Sequence, residues 1–216
     1  MLVAITLATM SQAGASLIAH WTFETSLPTD AGPHLAELGI QAGIAQATGF
    51  HASGTTTYSN PVGNGSSESF SSNNWTTVGD YYQFRVDLTG FSNVAISWDQ
   101  ARSSTGPSDF SLQYSIDGST FSVINNYTVL ANSNPPAGPG AWSSLTYNPA
   151  FTFGLISLPA AADNQANVYV RLVSNATAAS GGTNRIDNVR ISVVPEPGTL
   201  SLLVVALAVV PRLRRR

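Results

Sequence analysis

Along residues 81–88 the side chains alternate strictly: Tyr82, Phe84, Val86 and Leu88 fall on one side, and Tyr81, Gln83, Arg85 and Asp87 on the other. A period of two gives a strand one core face and one wet face. Val94, Ile96 and Trp98 alternate in the same way with Ala95, Ser97 and Asp99, and Phe110, Leu112, Tyr114 and Ile116 repeat the pattern. Asp117-Gly118 then supplies residues that tolerate positive φ, and Phe121-Ser122-Val123 starts a return strand, so residues 110–123 predict an antiparallel hairpin. Val168, Val170 and Leu172 predict another strand, and residues 186–193 a last one, in which the apolar parity changes between Ile186 and Val189 and predicts a bulge. With residues 17–23 at the front, at least seven strands are expected.

Residues 25–64, rich in Gly and Ala, and residues 131–149, with Pro135-Pro136, Pro139-Gly140 and Asn148-Pro149, carry no helical period and are expected as long loops. Many short strands without βα alternation predict an all-β fold: a two-sheet antiparallel β-sandwich, jelly-roll-like, with its termini close together. An immunoglobulin-like sandwich lacking its disulfide is the competing arrangement.

Both ends of the 216-residue chain break this pattern. Residues 1–15 form a short apolar stretch ending in Ala13-Gly14-Ala15, which predicts a signal peptide cleaved after Ala15, although the basic segment that usually precedes the apolar run is missing. Residues 16–193 make the sandwich domain. Residues 194–216 read Val194-Pro195-Glu196-Pro197, then an apolar run from Leu200 to Val210, then Pro211 and Arg212, Arg214, Arg215 and Arg216. The prolines stop a strand, the run can enter a bilayer as a short transmembrane helix, and the arginines form a cytoplasmic stop. About 20 apolar residues are needed to span a typical bilayer, so this anchor is short.

The order of Pro-Glu-Pro, apolar run and terminal arginines resembles the PEP-CTERM sorting signal of Gram-negative bacteria. That resemblance implies export, transient anchoring in the inner membrane, and processing by an exosortase that recognises Pro195, Glu196 and Pro197. It also implies a mature protein at the cell surface or in the extracellular matrix, associated with polysaccharide and biofilm. The alternative is an ordinary C-terminal anchor behind a proline hinge.

Composition narrows the chemistry. The chain contains no cysteine, which removes disulfides, thiolate metal sites and cysteine nucleophiles. It contains no lysine, and residues 16–194 hold five arginines against eleven acids, a net charge of −6 that opposes nucleic-acid binding. No Gly-x-Ser-x-Gly, His-Glu-x-x-His or Gly-rich phosphate loop is present, and the chain is expected not to be an enzyme. A triad can be assembled on paper from His51, Asp80 and one of many serines. Asp99 with Asp109, flanking residues 101–107, is the one carboxylate pair that a glycoside hydrolase could use.

The body also resembles a β-sandwich domain of bacterial surface proteins, through residues 19–24, 114–121 and 185–189, and is similar in architecture to carbohydrate-binding modules. In several of those a structural calcium joins an acid of the first strand to an aspartate of the last, which here implies Glu24 and Asp187; the other reading is a solvated Glu and a turn Asp. Among the aromatics, Trp21 and Trp98 lie on strands and read as core. Trp75, Trp142 and Tyr147 lie in loops and are the candidates for stacking on a sugar ring, or else for pinning those loops. The leading expectation is a non-catalytic surface or matrix protein delivered by exosortase; the alternative is a secreted carbohydrate-binding or glycan-active module.

Overall fold

A computed structural model describes residues 16–133 and 140–195. Twelve strands occur among them: β1 Leu17–Trp21, β2 His34–Leu35, β3 Gln46–Phe50, β4 Tyr58–Ser59, β5 Phe70–Ser72, β6 Tyr81–Val86, β7 Val94–Arg102, β8 Asp109–Ser115, β9 Ser122–Thr128, β10 Thr152–Ser157, β11 Val168–Ser174 and β12 Asn184–Val193. They form two antiparallel sheets packed as a sandwich. The first sheet runs β10-β7-β12-β5-β4, with β1 also paired to β12; the second runs β2-β3-β6-β11-β8-β9. Two three-residue 3-10 turns, Pro149–Phe151 and Ala160–Ala162, are the helical elements among the described residues.

The expected alternation sets the layers. Tyr82, Phe84 and Val86 of β6 and Val168, Val170 and Leu172 of β11 point into the core, which they share with Trp21, Phe70, Ile96 and Trp98 of the first sheet. Ring contacts join the layers: Trp21 lies 5.1 Å from Phe84, and Phe70 lies 5.1 Å from Tyr82. The β8–β9 hairpin turns at Asp117-Gly118, with Gly118 at φ 74°. Strand β12 is bulged where the parity changes: its register against β7 shifts between Asp187 and Arg190, and Asn188 sits at φ 49°. Residues 184–186 of β12 pair with β5, while residues 189–192 pair with β1, so these two strands follow one another along the same edge of β12.

The segment 25–64 is not one long loop, because it contributes β2, β3 and β4. Strand β3 escapes the pattern because its core-facing positions are small. Ala47 packs inward, and a side chain at Gly49 would run into the Tyr58 ring. Its strand character comes from its ladder with β6 rather than from its own side chains. The segment before β10 folds back over the outer face of the first sheet, where Trp142 and Phe151 close on Ala101 in a small second apolar cluster.

Among the described residues no helix is long and apolar enough to cross a membrane. The expected signal peptide at 1–15 and the tail residues Glu196, Pro197, Arg212, Arg214, Arg215 and Arg216 lie outside the described residues.

Candidate functional site

On the outer face of the first sheet, alternation turns Ser97 and Asp99 of β7 away from the core while Ile96 and Trp98 point inward. Arg190 pairs opposite Ser97, and Asp187 opposite Asp99. The bulge between them swings Asn188 onto the same outer face. The loop 64–66 and the half-exposed ring of Tyr147 complete a cleft of about 320 Å³, floored by Ser97, Asp99, Thr152, Asn188 and Arg190. A larger groove of about 560 Å³ shares Ser97 and Arg190 and continues past His20 to Leu17, Leu38 and Leu155.

The polar side chains of this cleft hold one another in place. Asp99 accepts from Thr152 Oγ1 at 2.6 Å and from Asn188 Nδ2 at 2.9 Å, and Tyr147 Oη lies 2.5 Å from Thr152 Oγ1. Asn188 Nδ2 also reaches Asp187 at 3.1 Å, which bridges the two carboxylates. Burial pushes Asp99 above the usual carboxylate range against the pull of its hydrogen bonds, and pushes Asp187 up to about 7. Arg190 donates from Nε to His20 Nε2 at 3.2 Å, which requires that imidazole nitrogen to be unprotonated. Burial, with the Arg190 charge second, holds His20 down at about 4. Among the described residues Arg190 forms no ion pair, so its guanidinium faces the cleft without a carboxylate bound to it.

Of the residues nominated from sequence, the fold brings Tyr147 and Asp99 into this cleft. Trp75 does not join them: it is fully buried, donates to Ser72 O at 3.0 Å and packs against His51 and Tyr82. Trp142 is 6% exposed and donates to Val62 O at 2.7 Å. Neither ring offers a free face, so both pin loops, and the assignment of Trp75 and Trp142 to sugar stacking is corrected; the sequence pattern does not distinguish a loop aromatic turned inward from one turned outward. Asp109 begins β8 in the second sheet and binds Ser108 and Thr128, so it does not face Asp99.

Glu24 and Asp187 do converge on one segment. Glu24 accepts from the Ser67 and Glu68 N–H groups, and Asp187 from the Asn64 N–H and Ser66 Oγ. Calcium takes six to eight oxygens. Here the carboxylate oxygens are turned to N–H and O–H donors of the loop, and among the described residues no three acidic or imidazole side chains gather at one point. The pair fits a loop clamp and not the calcium site.

The face of the second sheet opposite the core carries a group that the sequence reading passed over. Phe50 and Tyr81 stack at 5.1 Å, and the Arg171 guanidinium lies 3.9 Å from the Tyr81 ring centre and 3.6 Å from that of Phe121. Gln83 and Gln113 flank Arg171 on the neighbouring strands. The signal was available in the wet-face positions of β6, where a tyrosine and an arginine stand among the outward residues.

No family model matches the sequence, and no curated protein matches it. Solved structures match the fold. The N-terminal CBM22-1–GH10 modules of Clostridium thermocellum endo-1,4-β-D-xylanase 10B, complexed with xylohexaose, align at TM-score 0.51 and 15% identity over 85% of this chain and 29% of theirs, so this chain spans less than a third of that structure. The K2 cleaved adhesin domain of Lys-gingipain aligns at TM-score 0.49 and 16% identity, over 80% of this chain and 97% of that one. TmCBM61 in complex with β-1,4-galactotriose aligns at TM-score 0.40 and 10% identity, over 81% and 94%.

Proposed function

We propose that the sandwich is a non-catalytic carbohydrate-binding domain that takes a neutral glycan in the cleft beside Tyr147. One observation carries this reading: a half-exposed aromatic ring borders a cleft in which a carboxyl, an amide, a guanidinium and two hydroxyls converge. A sugar offers an apolar ring face and a rim of hydroxyls that donate and accept, and such a cleft meets both needs. Asp99 and Asn188 would accept from hydroxyls, Arg190 would donate to ring or hydroxyl oxygens, and Tyr147 would support the ring. The fold similarity to a CBM22-containing xylanase structure that holds xylohexaose supports the same reading. We read the strand order as jelly-roll-like.

The tail supports a second, compatible layer: export and sorting by exosortase through Pro195, Glu196 and Pro197, with transient inner-membrane anchoring and display outside the cell. The address would bring the sandwich to extracellular polysaccharide, and the cleft would bind it.

Titration calorimetry of the sandwich with xylohexaose and with galactotriose tests the binding reading. Tyr147→Ala is expected to weaken the better of the two by about tenfold, the loss of one aromatic contact. The absence of binding to either oligosaccharide, or binding that Tyr147→Ala and Arg190→Ala leave untouched, overturns it.

A further inference from the structure

We propose that the outer face of the second sheet is a separate site for an anionic sugar unit, with Arg171 as the group that receives its charge. The inference extends the glycan reading to a second surface. It starts from the cost of the arrangement. An arginine stays charged at any physiological pH, and a charge removed from water is usually compensated by a partner. Arg171 is half-buried between the Tyr81 and Phe121 rings, and burial depresses its basicity. Among the described residues it has no carboxylate partner.

Its neighbours are neutral. Nε donates to Gln83 Oε1 at 2.8 Å, and Nη2 to Tyr81 Oη at 3.1 Å. The rings fix the plane of the guanidinium and these two bonds fix its rotation within that plane, while Nη1 makes no hydrogen bond among the described residues. A planar fork held in one orientation with donors to spare is suited to a carboxylate or another oxyanion.

The surroundings point to a sugar as the carrier of that charge. Phe50, 48% exposed, extends the Tyr81 stack toward one edge of the sheet, and Gln113 flanks Arg171 on the other side with an amide. Farther along the face, Arg85 stands over Tyr169 and binds Asn167, adding a second cation. Asp87 follows the end of β6 beside Arg85, and Asp117 stands in the β8–β9 turn, whose Gly118 packs against Tyr169. Aromatic surface, amides and an uncompensated guanidinium on one face fit a glycan that presents a uronic acid or a sulfate ester to Arg171. The net charge of −6 over residues 16–194 opposes any densely charged polyanion, a nucleic acid and a fully anionic glycan alike, so the fit is to one charged sugar unit at the guanidinium.

Calorimetry or affinity electrophoresis with trigalacturonate, its neutral counterpart galactotriose, a sulfated galactan oligosaccharide and a single-stranded oligonucleotide tests this. Trigalacturonate or the sulfated oligosaccharide is expected to bind more tightly than galactotriose, and which of the two is preferred identifies the anion as carboxylate or sulfate. Arg171→Ala is expected to weaken that binding by about tenfold or more, and Arg171→Lys, which keeps the charge and loses the fork, by less. Thermal unfolding checks that both variants fold; if Arg171→Ala does not, the wild type's loss of anionic-glycan affinity with rising salt and the Arg171→Lys variant carry the test. The inference is overturned if the anionic sugars bind no better than galactotriose, if the oligonucleotide binds best, or if Arg171→Lys and Arg171→Ala bind as the wild type does. The cleft reading is judged separately, by the effect of Tyr147→Ala on the neutral oligosaccharides.

Discussion

The His51 imidazole and the Asp80 carboxylate stand 3.2 Å apart with each side chain 1% exposed. His51 Nε2 lies 2.9 Å from Ser72 Oγ, which lies 3.0 Å from Tyr82 Oη, and Tyr82 donates to Asn184 O at 2.7 Å. The order Asp–His–Ser is that of a hydrolase triad, but its surroundings are those of a core. Trp75 packs edge-on against His51 at 4.4 Å, Ser72 is 1% exposed, and burial lowers the His51 pKa against the raising effect of Asp80. A nucleophile needs a path to its substrate, and Ser72 is instead buried at the end of β5 with its hydroxyl against that of Tyr82. The chain of bonds ties β5 and β12 of the first sheet to β6 of the second. His51→Ala is therefore expected to destabilise the fold by about 3 kcal/mol, since it strands a buried carboxylate, as read by urea unfolding. Ester hydrolysis by the wild type would contradict the structural role.

Two buried groups near the cleft give opposite pH dependence. Asp187 titrates in the folded state at about 7, above its unfolded value, so its contribution to stability is fully present below the unfolded carboxylate pKa and is lost as pH rises toward 7. His20 is held at about 4, below its unfolded value, so its contribution is present above pH 6.5 and is lost as pH falls toward 4. Between pH 4 and 6.5 the two slopes oppose each other. Removing one should expose the other: Asp187→Asn is expected to make the melting temperature fall more steeply on acidification, and His20→Gln to make it rise on acidification. Parallel profiles for wild type and both variants would contradict this assignment.

The tail makes a prediction independent of the cleft. In the native host, intact mass and fractionation should show the wild-type protein shortened at its C-terminus and released from the membrane fraction. Glu196→Ala, which alters the centre of the Pro-Glu-Pro segment, should keep its full length and stay with the membrane. If both proteins retain Arg216 and both stay membrane-bound, the tail is an anchor only.

The alternating runs at 81–88, 94–99 and 110–116 made the long strands legible, because each buries one bulky face on a partner sheet. The bulge at residues 187–190 was legible too, since an extra residue in β12 has to shift the apolar parity. Strands β2 to β4 were not, because Ala47 and Gly49 leave too little side chain to show a period, and pairing with β6 decides their conformation. Tyr147 was found as a loop aromatic, whereas Trp75 and Trp142 show that a loop position does not tell which way a ring turns. Asp99 was noticed with the wrong partner, since Asp109 is near in sequence and Asp187, 88 residues on, is its neighbour through the β7–β12 pairing. Arg171 escaped notice for a related reason: Phe121, its second stacking partner, precedes β9 and meets it only across the sheet.

The segment 63–68 forms one wall of the cleft and is held at both ends by acids, Asp187 on Asn64 and Ser66, and Glu24 on Ser67 and Glu68. Gly63 sits where this clamp closes. A Cβ added there would collide with Ser66 Oγ, Glu68 O and Asp187 Oδ2, and two of those atoms belong to the clamp itself. Gly63→Ala should therefore break the hold of Asp187 on Ser66 and shift the wall, and with it Tyr147, which packs on Gly65, while Ser97, Asp99, Thr152, Asn188 and Arg190 stay on β7, β10 and β12. Its expected effect is a loss of neutral-oligosaccharide affinity with a destabilisation of about 1–3 kcal/mol, the usual cost of overpacking. Ser66→Ala removes only the hydroxyl that Asp187 accepts from and should cost about 1 kcal/mol. If Gly63→Ala binds and unfolds like the wild type, the 63–68 segment adapts freely and the clamp does not shape the cleft.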